Sequence, residues 1–182
     1  LNAETNYTFK VRAVNKSGNS DWTTFNAKTK NNPLEFAVKG ITATLNVADQ
    51  DGSGIEQLFD YDEANMWHTK WDVNAIPFEM VIDLNTINQL DRFDYLPRIS
   101  GGNGNLRKGK VYYSHDKQDW TEAGSFEWKN NSEIKTFKFS NQPKVRFIKI
   151  VVSEGVGNFG TGRELYVFKV PGTESYRPGD IN

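Results

Sequence analysis

The sequence contains no cysteine. A disulfide framework, a thiolate zinc site and a cysteine nucleophile are excluded together. The compartment is not settled by this, because many secreted bacterial proteins also lack cysteine. Long apolar runs are missing too, and none approaches the roughly 20 residues a membrane helix needs. An excess of one charge is absent: 22 Lys and Arg stand against 23 Asp and Glu, for a net charge of -1. The basic residues are scattered, so no strong field draws in nucleic acid or an anionic membrane. Catalytic signatures are equally scarce, with no G-x-S-x-G, no H-E-x-x-H and no phosphate loop. Glycoside hydrolysis requires a pair of placed carboxylates, but Glu63, Asp72 and Glu79 stand in no catalytic motif. The chain opens on LNAETNYTFK, without Met and without a signal peptide. It reads as an excised segment, so the missing targeting sequence excludes nothing.

What is present is β structure. The stretches YTFKVRAV (7–14), PFEMVIDL (77–84), KVYYSH (110–115), IKTFKFS (134–140), VRFIKIVV (145–152) and ELYVFKV (164–170) alternate apolar and polar residues or are rich in β-branched and aromatic ones. Turn-forming runs separate them: NKSGNSD, DQDGSG, SGGNGN, NNS and EGVGNFGTG. One short helical turn is expected at SGIEQLFD. Many short strands with polar turns predict an all-β, antiparallel sandwich or jelly roll.

The two ends differ from the middle. Residues 1–30, through Leu1, Tyr7 and KVRAVNKSGNSDWT, resemble the last two strands of a fibronectin type III domain, without the strands that precede them. Two strands cannot bury a sandwich core alone. KNNPLE (30–35) reads as a linker. The main domain is expected over 31–171. The tail, 172–182, reads as a linker whose end at Asp180, Ile181 and Asn182 resembles the start of a dockerin calcium loop, or is simply polar.

The densest chemistry lies in LFDYDEANMWHTKW, residues 58–71. Asp60, Asp62 and Asn65 offer three oxygen side chains within six positions, a pattern that suits calcium. An Asx-rich turn with solvated acids accounts for the same spacing. The longer pattern resembles the coagulation factor five/eight type C, or discoidin, family, and within it carbohydrate-binding module family 32. The resemblance continues through PFEMVIDLNTINQLDRFDYLPR, GNGNLRKGKVYYSHDKQDW, VRFIKIVVSEG and GRELYVF, in the family's order, over about residues 35 to 170. It implies a jelly-roll β-sandwich and a structural calcium held by Asp60, Asp62, Asn65 and Glu164 side chains with the carbonyls of Gln57 and Arg163. Tyr61 stands where the family has glycine, which strains the loop if that position needs a positive φ. Asn65 stands where it has threonine.

The resemblance also implies a sugar site of His68, Trp71, Arg98, Asn103 and Phe159, selective for terminal galactose, N-acetylgalactosamine or related sugars. Each residue has a plainer reading: His68 an incidental surface histidine, Trp71 a core cap, Arg98 a partner of Asp91 or Asp94, Asn103 a turn former, Phe159 a loop anchor. Trp67, Phe78, Phe93, Tyr95, Tyr112, Trp120 and Phe147 are expected to be structural. The implied protein is a monomeric, non-catalytic binding module of a larger, secreted or cell-surface bacterial glycan-processing protein. A spacer or protein-binding module that keeps the fold without sugar binding is an alternative. A lipid-binding relative is another, resting on Arg107, Lys108 and Lys110.

Overall fold

The computed structural model describes residues 1–177 and 179. The dockerin-like expectation rests on Asp180, Ile181 and Asn182, which lie outside the described residues. The chain divides into two compact units, Leu1–Glu35 and Phe36–Asn182.

The first unit is a long hairpin. β1 (Asn6–Val11) pairs antiparallel with β4 (Thr23–Lys28), and a short inner pair, β2 (Val14–Asn15) with β3 (Gly18–Asn19), closes the turn. Phe9 and Phe25 stack across the pair at 5.1 Å, and Arg12 lies 4.6 Å over the Trp22 ring.

The second unit is the antiparallel β-sandwich that the alternation predicts. Its spine is β7 (Phe78–Leu96), a single strand of 19 residues that serves both sheets. Its first half pairs on one side with β5 (Thr42–Leu45) and on the other with β11 (Lys144–Gly155), which continues to β8 (Leu106–Ser114) and β9 (Thr121–Glu127). Its second half lies between β10 (Lys135–Lys138) and β13 (Glu164–Lys169). The chain bends just after Asp83-Leu84 without ending the strand. Asn85 takes a left-handed φ of 60°, its amide donates to the Gly40 carbonyl, and its N–H donates to Asp83 Oδ1. An Asx bend of this kind lets one strand cross between sheets.

Between the sheets the inward positions make one core. Phe78, Met80, Ile82 and Leu84 alternate inward from β7, meeting Val145, Ile148, Ile150 and Val152 of β11 and Leu165 and Val167 of β13. Trp67, Phe93, Tyr95 and Phe147 are buried as expected. Tyr112 and Trp120 are not: both are half-exposed on the outer face, with the Lys149 ammonium 5.3 Å and 4.6 Å from their rings. A β-strand aromatic is free to face either side, and the phase of β8 puts Tyr112 outside; Trp120 lies in the loop just before β9. Residues after the main domain stay on the sandwich as far as Tyr176, which exchanges two backbone hydrogen bonds with Ile87.

Candidate functional site

Three loops meet at one end of the sandwich. β6 (Trp67–His68) pairs with β12 (Thr161–Gly162), so the motif strand is tied to the glycine-rich loop. Alternation does the sorting: Trp67 goes to the core edge against Phe78 at 5.9 Å, and His68 goes the other way. The third loop, 97–105, joins through Gly104, whose N–H donates to the Val156 carbonyl and whose carbonyl accepts from Thr161 N–H, at 2.7 and 2.8 Å. Beneath all three, the buried Tyr95 hydroxyl donates to the Thr161 carbonyl at 2.6 Å and accepts from Leu106 N–H at 3.2 Å. The loops are therefore fixed to one another from below.

His68, Trp71, Arg98, Asn103 and Phe159 all line one cavity of about 320 Å³. Residues from three loops converge: His68 with Trp71, Arg98 with Asn103, and Phe159. His68 is buried at 4% exposure, with Nδ1 against the Thr69 carbonyl. That contact places the proton on Nδ1 and leaves Nε2 as an acceptor. Burial lowers the His68 pKa; the Thr69 contact raises it, and nearby Arg98 lowers it further. The ring is neutral at pH 7.

Arg98 pairs with neither Asp91 nor Asp94. Both acids are taken by Arg92, at 3.0 and 3.1 Å. Arg98 is placed instead by its backbone N–H, which donates to Asn105 Oδ1, and by Nη1, which donates to the Asn103 carbonyl, both at 3.2 Å. The rest of the guanidinium is uncommitted among the described residues. The two asparagines of GGNGN thus divide the work. Asn105 is buried and braces the loop. Asn103 is exposed and carries a free amide.

The aromatic residues frame the cavity. Phe159 lies 5.6 Å from the His68 ring, half-buried, and Trp71 meets His68 edge-on at 6.1 Å with 58% exposure, so it caps no core. Gly160 explains the position of Phe159. A Cβ there would lie 2.7–2.8 Å from the Phe78 and Trp67 rings, and the Gly160 backbone exchanges hydrogen bonds with Thr69. Gly160→Ala is expected to lower stability by roughly 1–3 kcal/mol and to weaken ligand binding through displacement of Phe159, as read by calorimetric melting and titration. Sequence reasoning missed Ser53, Met66 and Asp72, which also line the cavity. Met66 adjoins the motif strand, but nothing local marks Ser53 or Asp72.

The expected metal ligands form a second cluster. Tyr61 has a φ of 65°, the strained region for a residue with a Cβ. Its hydroxyl donates to the Val38 carbonyl at 3.0 Å and its ring lies 5.3 Å from Tyr166, contacts that hold the loop where glycine would fit freely. Asp60 Oδ1 accepts from Asp62 N–H, and the Asn65 amide donates to Asp60 at 3.1 Å and Asp62 at 3.2 Å. Glu164 is fully buried at 0% exposure, and neither carboxylate oxygen has a hydrogen-bond partner. Burial first, then Asp60 beside it, pushes Glu164 up to about 8, with the nearby amides of Asp62 and Tyr61 pulling partly back. Arg163 donates to the Pro97 carbonyl and to Glu63, and Gln57, within the short 3-10 turn Ile55–Leu58, donates its side-chain amide to the Gly52 carbonyl. Among the described residues no group of three His, Cys, Asp or Glu side chains is arranged to hold an ion by itself. A cation here needs the Asn65 amide oxygen and backbone carbonyls as well as carboxylates. An orphaned, buried Glu164 beside Asp60 fits a hard cation of that coordination.

Comparison with known proteins follows the same lines. The F5/8 type C domain family model matches residues 40–165. Among curated proteins, A type blood N-acetyl-alpha-D-galactosamine deacetylase of Flavonifractor plautii is 27% identical over 114 residues, which is 61% of this chain and 14% of that protein. This chain therefore corresponds to a small part of that relative's length. Among solved structures, CpGH89CBM32-5 of Clostridium perfringens, in complex with GalNAc-beta-1,3-galactose, is 31% identical with a TM-score of 0.68, over 72% of this chain and 99% of that one. The family 32 module of NanJ from C. perfringens, in complex with galactose, is 26% identical with a TM-score of 0.68, over 74% and 98%. CBM32-1 from a family 31 glycoside hydrolase of C. perfringens is 25% identical with a TM-score of 0.69, over 76% and 100%. The three structural matches are to binding modules, and a domain without catalysis of its own agrees with them. No helix among the described residues is long and apolar enough to cross a membrane.

Proposed function

This chain belongs to the F5/8 type C domain family, and we propose that it is a carbohydrate-binding module that holds a terminal galactose, N-acetylgalactosamine or related sugar in the His68 cavity. The observation that carries this reading is the convergence of His68, Trp71, Arg98, Asn103 and Phe159 on one cavity. A pyranose presents hydroxyls in fixed directions and an apolar patch of C–H groups. The cavity has a matching set. Neutral His68 offers Nε2 as an acceptor for one hydroxyl, and the Arg98 fork offers donors to adjacent ones. Asn103 offers both a donor and an acceptor. Phe159 and Trp71 offer ring faces for the C–H patch.

Calcium is part of the proposal as a structural ion. Asp60, Asp62, Asn65 and Glu164, with the carbonyls of Gln57 and Arg163, would hold it. Bound there, it would supply positive charge to the buried Glu164 and join the loop ahead of β6 to the start of β13. Asn65 would turn its amide oxygen inward, a reversal of the orientation in which its nitrogen faces Asp60 and Asp62.

The parent is proposed to be a bacterial glycan-processing protein working outside the cell, with this module keeping it close to its substrate. Weak individual affinity is sufficient when several modules act together. The lipid-binding reading loses its support in the ion pairs. Arg107 donates to the Trp128 carbonyl, Lys108 pairs with Glu127 and Glu154, and Lys110 pairs with Glu122.

The test is a glycan array read with calcium and with chelator. Binding to glycans ending in galactose or N-acetylgalactosamine supports the proposal; binding to none of them, with a calcium-dependent melting shift intact, favours a spacer. A pH series adds a second check. His68 titrates below the ordinary histidine value of about 6.5 because of its burial. Affinity measured by titration calorimetry is expected to stay level from pH 8 to that value and to fall only below it, as Nε2 gains a proton and ceases to accept.

A further inference from the structure

We infer that the site extends beyond one sugar, and that a second saccharide unit lies in the neighbouring cavity walled by Asn105, Asn130, Asn131 and Ser132. This deepens the proposed function and rests on it. The cavity has a volume of about 370 Å³, close to the 320 Å³ of the first, and the two share Arg98. Arg98 spends one N–H on the Asn103 carbonyl, so its fork has donors left for ligands on both sides.

The two cavities differ in chemistry. The second contains no aromatic ring. Beside Arg98 and Ile99, its walls are amides, a hydroxyl and the backbone of Gly101 and Gly102. Gly102 is held at a positive φ of 59° and packs so closely on Asn130 that a Cβ would lie 2.7 Å from Oδ1. Asn130 is therefore oriented: its oxygen faces Gly102 and accepts from the Asn105 amide at 3.0 Å. Its nitrogen donates to nothing among the described residues, and neither does the Ser132 hydroxyl. Both are exposed. The Asn131 amide is spent on Glu133 and Lys135 and the Asn105 amide on Arg98 and Asn130, so the unspent groups are the Asn130 nitrogen and the Ser132 hydroxyl. Two free groups without a stacking ring suit a hydroxyl-bearing unit whose position is already set by its linkage to an anchored neighbour.

A third cavity, of about 250 Å³, also touches Arg98, but its charged groups and Asn65 are committed, leaving the Ser100 hydroxyl as its free group among the described residues. Arg163 and Glu63 pair at 2.9 Å, and Asn65 is turned to Asp60 and Asp62. The larger cavity, with two free groups, favours a ligand that leaves the first site past Arg98 and the exposed Ile99 toward Ser132.

The experiment compares galactose and N-acetylgalactosamine with disaccharides that carry each of them at the non-reducing end, by titration calorimetry in calcium. Wild type is expected to bind at least one disaccharide about tenfold more tightly than its monosaccharide. Ser132→Leu fills the second cavity from an exposed position; it should erase that gain and leave monosaccharide affinity unchanged. Asn130 is left intact, because it braces Asn105. Equal affinity for monosaccharide and every disaccharide in wild type overturns the second unit alone, as does a gain that survives in Ser132→Leu. Failure of wild type to bind any of the sugars overturns the proposed function, and the second unit with it.

Discussion

With calcium chelated, the sandwich is expected to lose stability steadily as the pH rises from about 5 to 8, and calcium is expected to restore it. The source is Glu164. In the unfolded chain its carboxyl ionises near the ordinary value of 4.5, whereas in the fold burial and the Asp60 charge hold its proton to about 8. Between these values the folded state binds more protons than the unfolded one. Stability therefore falls with rising pH across that window, and levels off above it. The fully buried position makes the change large, on the order of 4 kcal/mol. Asp60 works the other way at lower pH, because its hydrogen bonds from Asp62 and Asn65 lower its pKa against the effect of burial. Its contribution is present above the unfolded value and lost as the pH falls. Tyr61, Asp62 and Tyr166 also face this pocket. Both tyrosines have raised values, chiefly through burial, and stay neutral across the window.

A bound cation replaces the proton as the partner of Glu164. At a hundredfold excess over its Kd it adds about 2.7 kcal/mol, which is worth roughly 10 °C in Tm for a domain of this size. The gain should be greater at pH 8 than at pH 5, where a proton competes. Glu164→Gln should fold, lose the pH slope and no longer respond to calcium. Scanning calorimetry of both proteins, with and without chelator, at pH 5, 6.5 and 8 gives the result. A wild-type melting temperature indifferent to calcium at every pH would remove the ion from the proposal.

The second large effect concerns sugar affinity. Arg98→Ala is expected to weaken binding by about ten- to a hundredfold, the cost of losing a charged donor from a partly enclosed site. Arg98→Lys should recover little, because a single ammonium cannot span two hydroxyls. Phe159→Ala should cost about tenfold through the lost ring face, and the double variant should show no measurable binding. Neither change should move Tm by more than a degree or two. Arg98 forms no ion pair among the described residues, and Phe159 sits at the rim of a loop secured by Gly160 and Thr161 rather than by its own ring. An unchanged affinity in both single variants would refute the site.

Much of this was legible in the sequence, and for physical reasons. Period-two alternation marked the long strands because each has one buried face, as the inward run Phe78, Met80, Ile82 and Leu84 illustrates. β5 and β9 were harder to see. TATL is short, and TEAGSFE is too polar to alternate clearly, since only Phe126 of that strand is buried. The five residues expected around a sugar do meet, because family order carried information about which loops converge. Local pattern could not supply it: Ser53 and Asp72 reach the same cavity from loops that look like any other polar turn. Strand phase decides Tyr112, and a shift of one residue reverses the face; Trp120 stands in the loop before β9, where alternation gives no guide. The choice between Asn103 and Asn105 is likewise a tertiary matter, settled by which amide finds Asn130. The strain foreseen at Tyr61 is present as a positive φ, but the Val38 and Tyr166 contacts that accommodate it come from distant segments.

The central claim is that one cavity, framed by His68, Arg98 and Phe159, grips a sugar. Amide and side-chain NMR shifts during titration with N-acetylgalactosamine and galactose, in calcium, test it most directly. The prediction is that perturbations begin at His68, Trp71, Arg98, Asn103 and Phe159 and saturate together with a single affinity. Saturable shifts confined to another face of the sandwich, or no saturable shift with either sugar, would contradict it.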